Sequence, residues 1–303
     1  MKLFGLSFLV VFLLLTGCAT VEEPAVFEVP AATEENAVNE VEPAEAAEPV
    51  YETVTVPLLL KETVYFSDGV VDRYTDLTYQ EETDRLVRKE TRNTYDELEE
   101  AVSLEYRDGL PVKETVYGPD SRVTSYQVYD YDSFGLLVSR EFYNASGNLQ
   151  TRSAYEYDEE SHKIRWEVFG SVKNLLSYST YRYDGQGRLT ETKVYSPDGT
   201  LEDQFVFDYS GDSGVPSRET QLTAQGAISQ IVEKTLEGPR LLEERTLGPS
   251  GSPEFRVVYE YGESGEKLRE SLYDKTDRLV EYREFQYLFQ ELQRLVEALE
   301  AGK

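Results

Sequence analysis

The chain has 303 residues, with 58 Asp plus Glu against 30 Lys plus Arg, for a formal net charge of −28. A surface this acidic repels phosphate backbones and anionic headgroups, which excludes nucleic acid as a partner and leaves cationic partners open. One His, one Cys and one Met against 23 Tyr remove most routes to His-based or metal chemistry and point to strands with aromatic ladders.

Met1 and Lys2 form a minimal basic start, followed by an apolar run from Leu3 to Leu15. That run is shorter than the ~20 residues a bilayer-spanning helix needs and fits the apolar region of a signal peptide. It ends in Leu15-Thr16-Gly17-Cys18, which resembles the lipobox of bacterial lipoproteins. The resemblance implies a signal peptide over 1–17 and makes Cys18 the first mature residue, carrying a diacylglyceryl thioether and an amide-linked acyl chain such as palmitate. Two or three chains at ~0.8 kcal/mol per buried methylene would anchor the protein to a membrane. With its one cysteine so used, the chain forms no internal disulfide. No Asp follows Cys18, and the same resemblance then implies the outer membrane, on its periplasmic face or at the cell surface.

Residues 18–55 read as a tether. From Val21 to Glu52 the chain is rich in Glu, Ala, Val and Pro and holds no Lys or Arg. One charge sign, few aromatics and repeated Pro predict a disordered, self-repelling linker, about 35 Å in root-mean-square span. Two roles stay open for it, a stalk and a peptide ligand for a basic partner.

The span 56–287 repeats. Steps of 26 residues connect Tyr131, Tyr157, Tyr183, Tyr209, Tyr261 and Tyr287, with Thr235 as the break. A second phase holds Tyr65, Tyr117, Tyr143, Phe169, Tyr195, Leu247 and Tyr273. Turn glycines follow in two further phases, Gly69, Gly147, Gly199 and Gly251, and Gly109, Gly135, Gly187 and Gly265. A fixed period of this size signals a repeat architecture. Segments such as Ser196-Pro-Asp-Gly199 and Asp184-Gly-Gln-Gly187 predict type I turns closed by a left-handed glycine. Hairpins joined in this way make an antiparallel meander, and about 17 strands at ~4.8 Å would give a sheet about 80 Å long. Open sheets rarely exceed about ten strands without curling, so the expected form is an elongated hairpin array coiled into an open shell.

An even period returns equivalent residues to one face. Odd positions collect Leu149, Leu175, Leu189, Leu201 and Leu279, with Tyr129, Tyr155, Tyr181, Phe207, Tyr259 and Phe285; even ones carry Arg182, Thr190, Thr192, Glu202, Gln204 and Glu284. The odd face is expected inward and apolar. Two stretches depart from the pattern. Tyr95 to Val102 lacks a turn glycine and predicts a longer loop or short helix. Pro216, Pro239, Pro249 and Pro253 predict edge-like or bulged units.

Tyr183-Asp184-x-x-Gly187-Arg188-Leu189-Thr190 resembles the YD repeats of the Rhs family, with weaker copies at Tyr131-Asp132, Tyr157-Asp158 and Tyr273-Asp274. The resemblance implies hairpins wound into a shell, and some members of that family bind carbohydrate or enclose a toxin. This chain has few repeats, and no Rhs core region or toxin domain follows them.

Phe285, Leu288, Phe289, Leu292, Leu295, Val296 and Leu299 recur at three- and four-residue spacing, which predicts an amphipathic helix over 286–301. It would cap the array, or pair with a partner or a second copy.

Catalytic chemistry has little to stand on. His162 sits alone in a turn, and no phosphate loop, metal spacing or nucleophile elbow occurs. Carboxylate pairs such as Asp130 with Asp132 and Glu156 with Asp158 flank tyrosines and read as solubilising strand ends rather than a glycosidase pair. The chain therefore reads as all-β, cofactor-free and not an enzyme: a lipid-anchored cell-envelope protein offering a binding or scaffold surface to a protein partner. The alternative is carbohydrate binding through Tyr129, Tyr155, Tyr181, Phe207 and Tyr259; an envelope hydrolase is a third reading. The oligomeric state is open.

Overall fold

The structure, a computed structural model, describes residues 50–81 and 83–296. Cys18 and the tether up to residue 49 lie outside the described residues, as does Leu299. Among the described residues eighteen strands follow one another without a helix. The first nine are β1 (Val50–Phe66), β2 (Val71–Tyr79), β3 (Leu86–Asn93), β4 (Leu98–Arg107), β5 (Leu110–Tyr117), β6 (Val123–Tyr131), β7 (Leu137–Asn144), β8 (Leu149–Tyr157) and β9 (Lys163–Gly170). The rest are β10 (Leu175–Tyr183), β11 (Leu189–Tyr195), β12 (Leu201–Asp208), β13 (Arg218–Thr223), β14 (Ile228–Glu237), β15 (Arg240–Leu247), β16 (Pro253–Tyr261), β17 (Lys267–Asp274) and β18 (Leu279–Val296).

Each strand pairs antiparallel with its successor, and β18 returns to pair with β1 from Phe66↔Glu281 to Val50↔Val296. The array is therefore a closed barrel, not an open shell. Closure satisfies the two strand edges that an open array would leave bare. Among the described residues the expected C-terminal helix does not form: 286–296 belongs to β18. Leu288, Phe289, Leu292, Leu295 and Val296 lie on that strand, because β1 offers a 17-residue partner along its whole length.

The turns form as expected. In the β6–β7 hairpin, Gly135 N–H donates to Asp132 O at 3.2 Å, Gly135 has φ +83°, and Asp132 Oδ1 accepts from Phe134 and Leu136 N–H, both at 2.9 Å. Where a repeat lacks the glycine, another residue takes the left-handed conformation: Asp96, Ser121, Ser161, Lys173 and Asp277, with φ between 60° and 67°. Asp96 thus closes an ordinary tight turn, correcting the longer loop or helix expected near Tyr95. The proline-rich stretch yields β13 to β16 inside the ladder with bulged registers and no open edge.

The bulges also change the faces. Nearly every hairpin carries one extra residue next to its turn; between β10 and β11 the register shifts between Arg182 and Tyr183. Parity therefore flips from one strand to the next and is restored after two. Thr192 pairs with Tyr181 and shares its face, against expectation. Leu149, Leu201 and Leu279 pair with Tyr143, Tyr195 and Tyr273 on the opposite face. That second face holds stacked pairs Tyr126–Tyr143, Tyr178–Tyr195 and Tyr65–Tyr282, with ring centroids 4.7 to 4.8 Å apart.

Which face lies inside follows from desolvation. Burial raises the phenols of Tyr129 and Tyr259 far, and that of Tyr65 on the opposite face less. Tyr143, on the other face, is pushed up to about 12 chiefly by its hydrogen bond to Glu141. The concave side of a closed sheet crowds its side chains, so the Tyr129 face is the lumen. Eighteen strands at ~4.8 Å with ordinary barrel tilt give a backbone radius of about 18 Å in a round section. Among the described residues the buried apolar side chains are Leu58, Val64, Ala101, Ile231 and Phe285, and the other lumen-facing aromatics stay half-buried. The inner wall is wet rather than packed into a core.

Seven tyrosines of the first phase, together with Tyr106, one residue out of step, have a shared role at one rim. Their hydroxyls donate to the backbone carbonyl twenty residues upstream: Tyr79 to Leu59, Tyr106 to Leu86, Tyr131 to Pro111, Tyr157 to Leu137, Tyr183 to Lys163, Tyr209 to Leu189, Tyr261 to Leu241 and Tyr287 to Lys267, at 2.8 to 3.1 Å. The break at Thr235 stands twenty residues after Val215, which precedes β13.

Candidate functional site in the barrel lumen

Tyr129, Tyr155, Tyr181, Phe207, Tyr259 and Phe285 occupy even-numbered strands from β6 on, and all face the lumen. Five of them pair with a residue on the following strand: Arg140, Trp166, Thr192, Glu219 and Glu270 for Tyr129, Tyr155, Tyr181, Phe207 and Tyr259. The aromatic column is constant and its partner row changes, so the repeat builds a scaffold and the partner row gives each sector its chemistry.

From β6 to β12 the wall is aromatic. The Tyr155 and Trp166 rings lie 6.3 Å apart at 15°. Lys163 Nζ sits 4.5 Å from the Tyr181 centroid and 5.9 Å from that of Tyr155. Phe142, Val168, Val194 and Phe205 extend the same surface. The Trp166 indole Nε1 is buried without a hydrogen-bond partner, which an indole N–H ordinarily has when buried.

From β13 through β1 the wall is ionic. Lys234 pairs with Glu219 and, at 3.6 Å, with Glu244, which accepts from Tyr259 Oη at 2.7 Å. Glu270 meets Lys267 at 2.9 Å and Arg283 at 3.9 Å, and Arg283 meets Glu62 at 3.4 Å. Lys267 also lies 4.5 Å from the Phe285 ring. Charge of both signs alternates over these strands, with β16 supplying the Tyr259 hydroxyl in place of a charge.

The outer wall is charged as well, with Arg165–Glu167 at 2.8 Å, Lys193–Glu191 at 3.0 Å and Arg256–Glu243 at 3.2 Å. Neither face carries the continuous apolar band that a lipid-spanning barrel needs.

The remaining sequence candidates do turn chemistry. Asp132 and Asp158 cap their hairpins; Asp158 Oδ1 accepts from Glu160 and His162 N–H at 3.1 and 2.8 Å. His162 is more than a solvated turn residue. It stacks on Tyr183 at 4.7 Å with Nδ1 3.3 Å from Asp158 Oδ2. Asp158, Glu160 and His162 bring one ligand atom each within 4.8 Å of one another, the described group that could hold a cation. Sequence reading missed Arg140, Lys163, Trp166 and the ionic belt. The signal was present: Glu114, Arg140, Trp166 and Thr192 step by the same 26 residues.

No family model and no curated protein matches the chain. Among solved structures it is similar to the TcdB2-TccC3 complex, at 13% identity over 83% of this chain, with TM-score 0.32. The chain spans 15% of the length of that structure. It is also similar to porin-like proteins from Bacteroides uniformis (10% identity, 76% of this chain and 98% of that one, TM-score 0.38) and Bacteroides vulgatus (11%, 76% and 99%, TM-score 0.29). The chain is a β-repeat protein.

Proposed function

We propose that this is a lipid-anchored cell-envelope protein whose barrel is a non-catalytic binding module, holding a carbohydrate along the aromatic sector of its lumen. The carrying observation is the run of Tyr155, Trp166 and Tyr181 with Lys163 between the rings. Flat aromatic faces suit the C–H faces of sugar rings, and the Trp166 N–H and Lys163 ammonium offer donors to hydroxyls or carboxylates. Attachment through Cys18 rests on the lipobox. The charge on both walls supports an anchored barrel over a membrane-spanning one.

The full chain in detergent, screened on a glycan array, should retain a carbohydrate that Trp166→Ala and Tyr181→Ala both release. An array without a retained glycan sinks the binding reading. For the anchor, radioactive palmitate should label the wild type and not Cys18→Ser, and equal membrane partition of the two removes that part.

A further inference from the structure

Closure of the barrel uses less than the full length of its two closing strands. β2 pairs with β1 from Lys61 to Tyr65, and β17 pairs with β18 from Leu279 to Glu284. β1 and β18 continue together beyond this, from Leu59↔Tyr287 to Val50↔Val296. At ~3.3 Å per residue this makes a two-stranded ribbon about 30 Å long standing out from the tyrosine-laddered rim. Its outer edges are the open strand edges among the described residues.

The two edges differ. β1 carries Pro57, which has no N–H to offer and is the usual device for blunting an edge. β18 carries neither Pro nor Gly, and Phe285 to Gln290 is uncharged in a chain of net charge −28. Leu288 is 49% exposed and Phe289 46% exposed, on successive positions and hence on both faces of the ribbon.

We propose that the β18 edge is a self-association site, pairing antiparallel with β18 of a second copy about a two-fold axis. Two observations favour a copy over another occupant. A two-stranded ribbon is marginal in water, and each copy brings the same deficit, so pairing turns two ribbons into one four-stranded sheet. An isologous antiparallel edge places this uncharged run against itself, where the two acidic molecules do not repel; Glu291 is the one acidic residue from Phe285 to Val296. Burying Leu288 and Phe289 from both copies supplies the apolar contact.

The test uses the full chain carrying Cys18→Ser, which removes the lipid and the native thiol together. Sedimentation equilibrium should show a dimer that Phe289→Lys shifts at least tenfold toward monomer. Leu288→Cys, at the centre of the uncharged run and placed in the Cys18→Ser chain, should form a disulfide-linked dimer under mild oxidation, while Arg182→Cys, which faces Glu191 on the outer barrel wall, should not. A monomer at all concentrations, a dimer indifferent to Phe289→Lys, or no cross-link at Leu288→Cys overturns the proposal. The cross-link needs no disruptive substitution, so it decides the question even if the lysine variant fails to fold.

Discussion

The Tyr183 hydroxyl donates to the carbonyl oxygen of Lys163, twenty residues upstream, at 2.8 Å. The same bond recurs at each rim tyrosine except where the phase breaks. It satisfies a carbonyl at the start of a strand, where the ladder gives out, and ties each hairpin to the one before. A neutral hydrogen bond of this kind contributes about 1 kcal/mol net. Tyr157→Phe and Tyr183→Phe should each lower the unfolding free energy by about that amount in urea titration. Tyr195→Phe, whose ring stacks on Tyr178 on the outer wall, should change it by a few tenths. Equal losses at all three sites would contradict the rim role.

The left-handed turn slots make a second prediction. Ser161 (φ 67°) and Lys173 (φ 62°) stand where other repeats have glycine. A non-glycine residue there costs about 1–2 kcal/mol, offset in part by the greater chain entropy glycine loses on folding. Lys173→Gly and Ser161→Gly should each raise stability by roughly 0.5–1 kcal/mol. Gly187→Ala should lower it by more than about 1 kcal/mol. There φ is +75°, and an added Cβ would stand 2.8 Å from His162 Nε2. Chemical denaturation of the three variants checks both signs.

Stability should fall at both ends of the pH scale. Asp198 is held down at about 2, first by the Ser196 hydroxyl, while Thr276 does the same for Asp274 and Arg92 for Glu90. Their folded values lie below the unfolded ones, so their contribution is present above about pH 4 and lost as pH falls toward 2. Tyr79, Tyr129, Tyr131, Tyr259 and Tyr287 are raised, burial first in each case. Their contribution is full below the unfolded value near pH 10 and disappears as pH climbs through the folded values. Phenolate absorbance and circular dichroism should therefore change together above pH 10. Phenolate appearing without loss of strand signal would show these tyrosines open to base.

Period, turn type and strand content are legible in the residues, since Tyr131 to Tyr287 and the glycine phases carry them directly. Closure is not. It depends on β1 meeting β18 across more than 200 residues, and no local pattern in Val50–Phe66 announces its partner. Phe285 to Val296 misleads for a physical reason: three- and four-residue spacing is what a helix face shows, and also what a ribbon exposed on both faces tolerates. Faces were misread because parity assumes regular strands, and the bulge beside each turn inserts one residue that spacing between tyrosines conceals. The aromatic column was visible; that Trp166 and Arg140 share its wall emerges once Tyr155↔Trp166 and Tyr129↔Arg140 are known as pairs.

The ionic belt supplies the last prediction. Lys234, with 14% of its side chain exposed, bridges Glu219 and Glu244, each 27% exposed. Lys234→Met leaves two half-buried carboxylates without their cation, and residual solvent access limits the loss to about 1–2 kcal/mol. Adding Glu219→Gln and Glu244→Gln to Lys234→Met should recover part of that loss, because the uncompensated charge is then gone. A cycle in which the three substitutions add within about 0.3 kcal/mol would mean that the belt is three separately solvated charges.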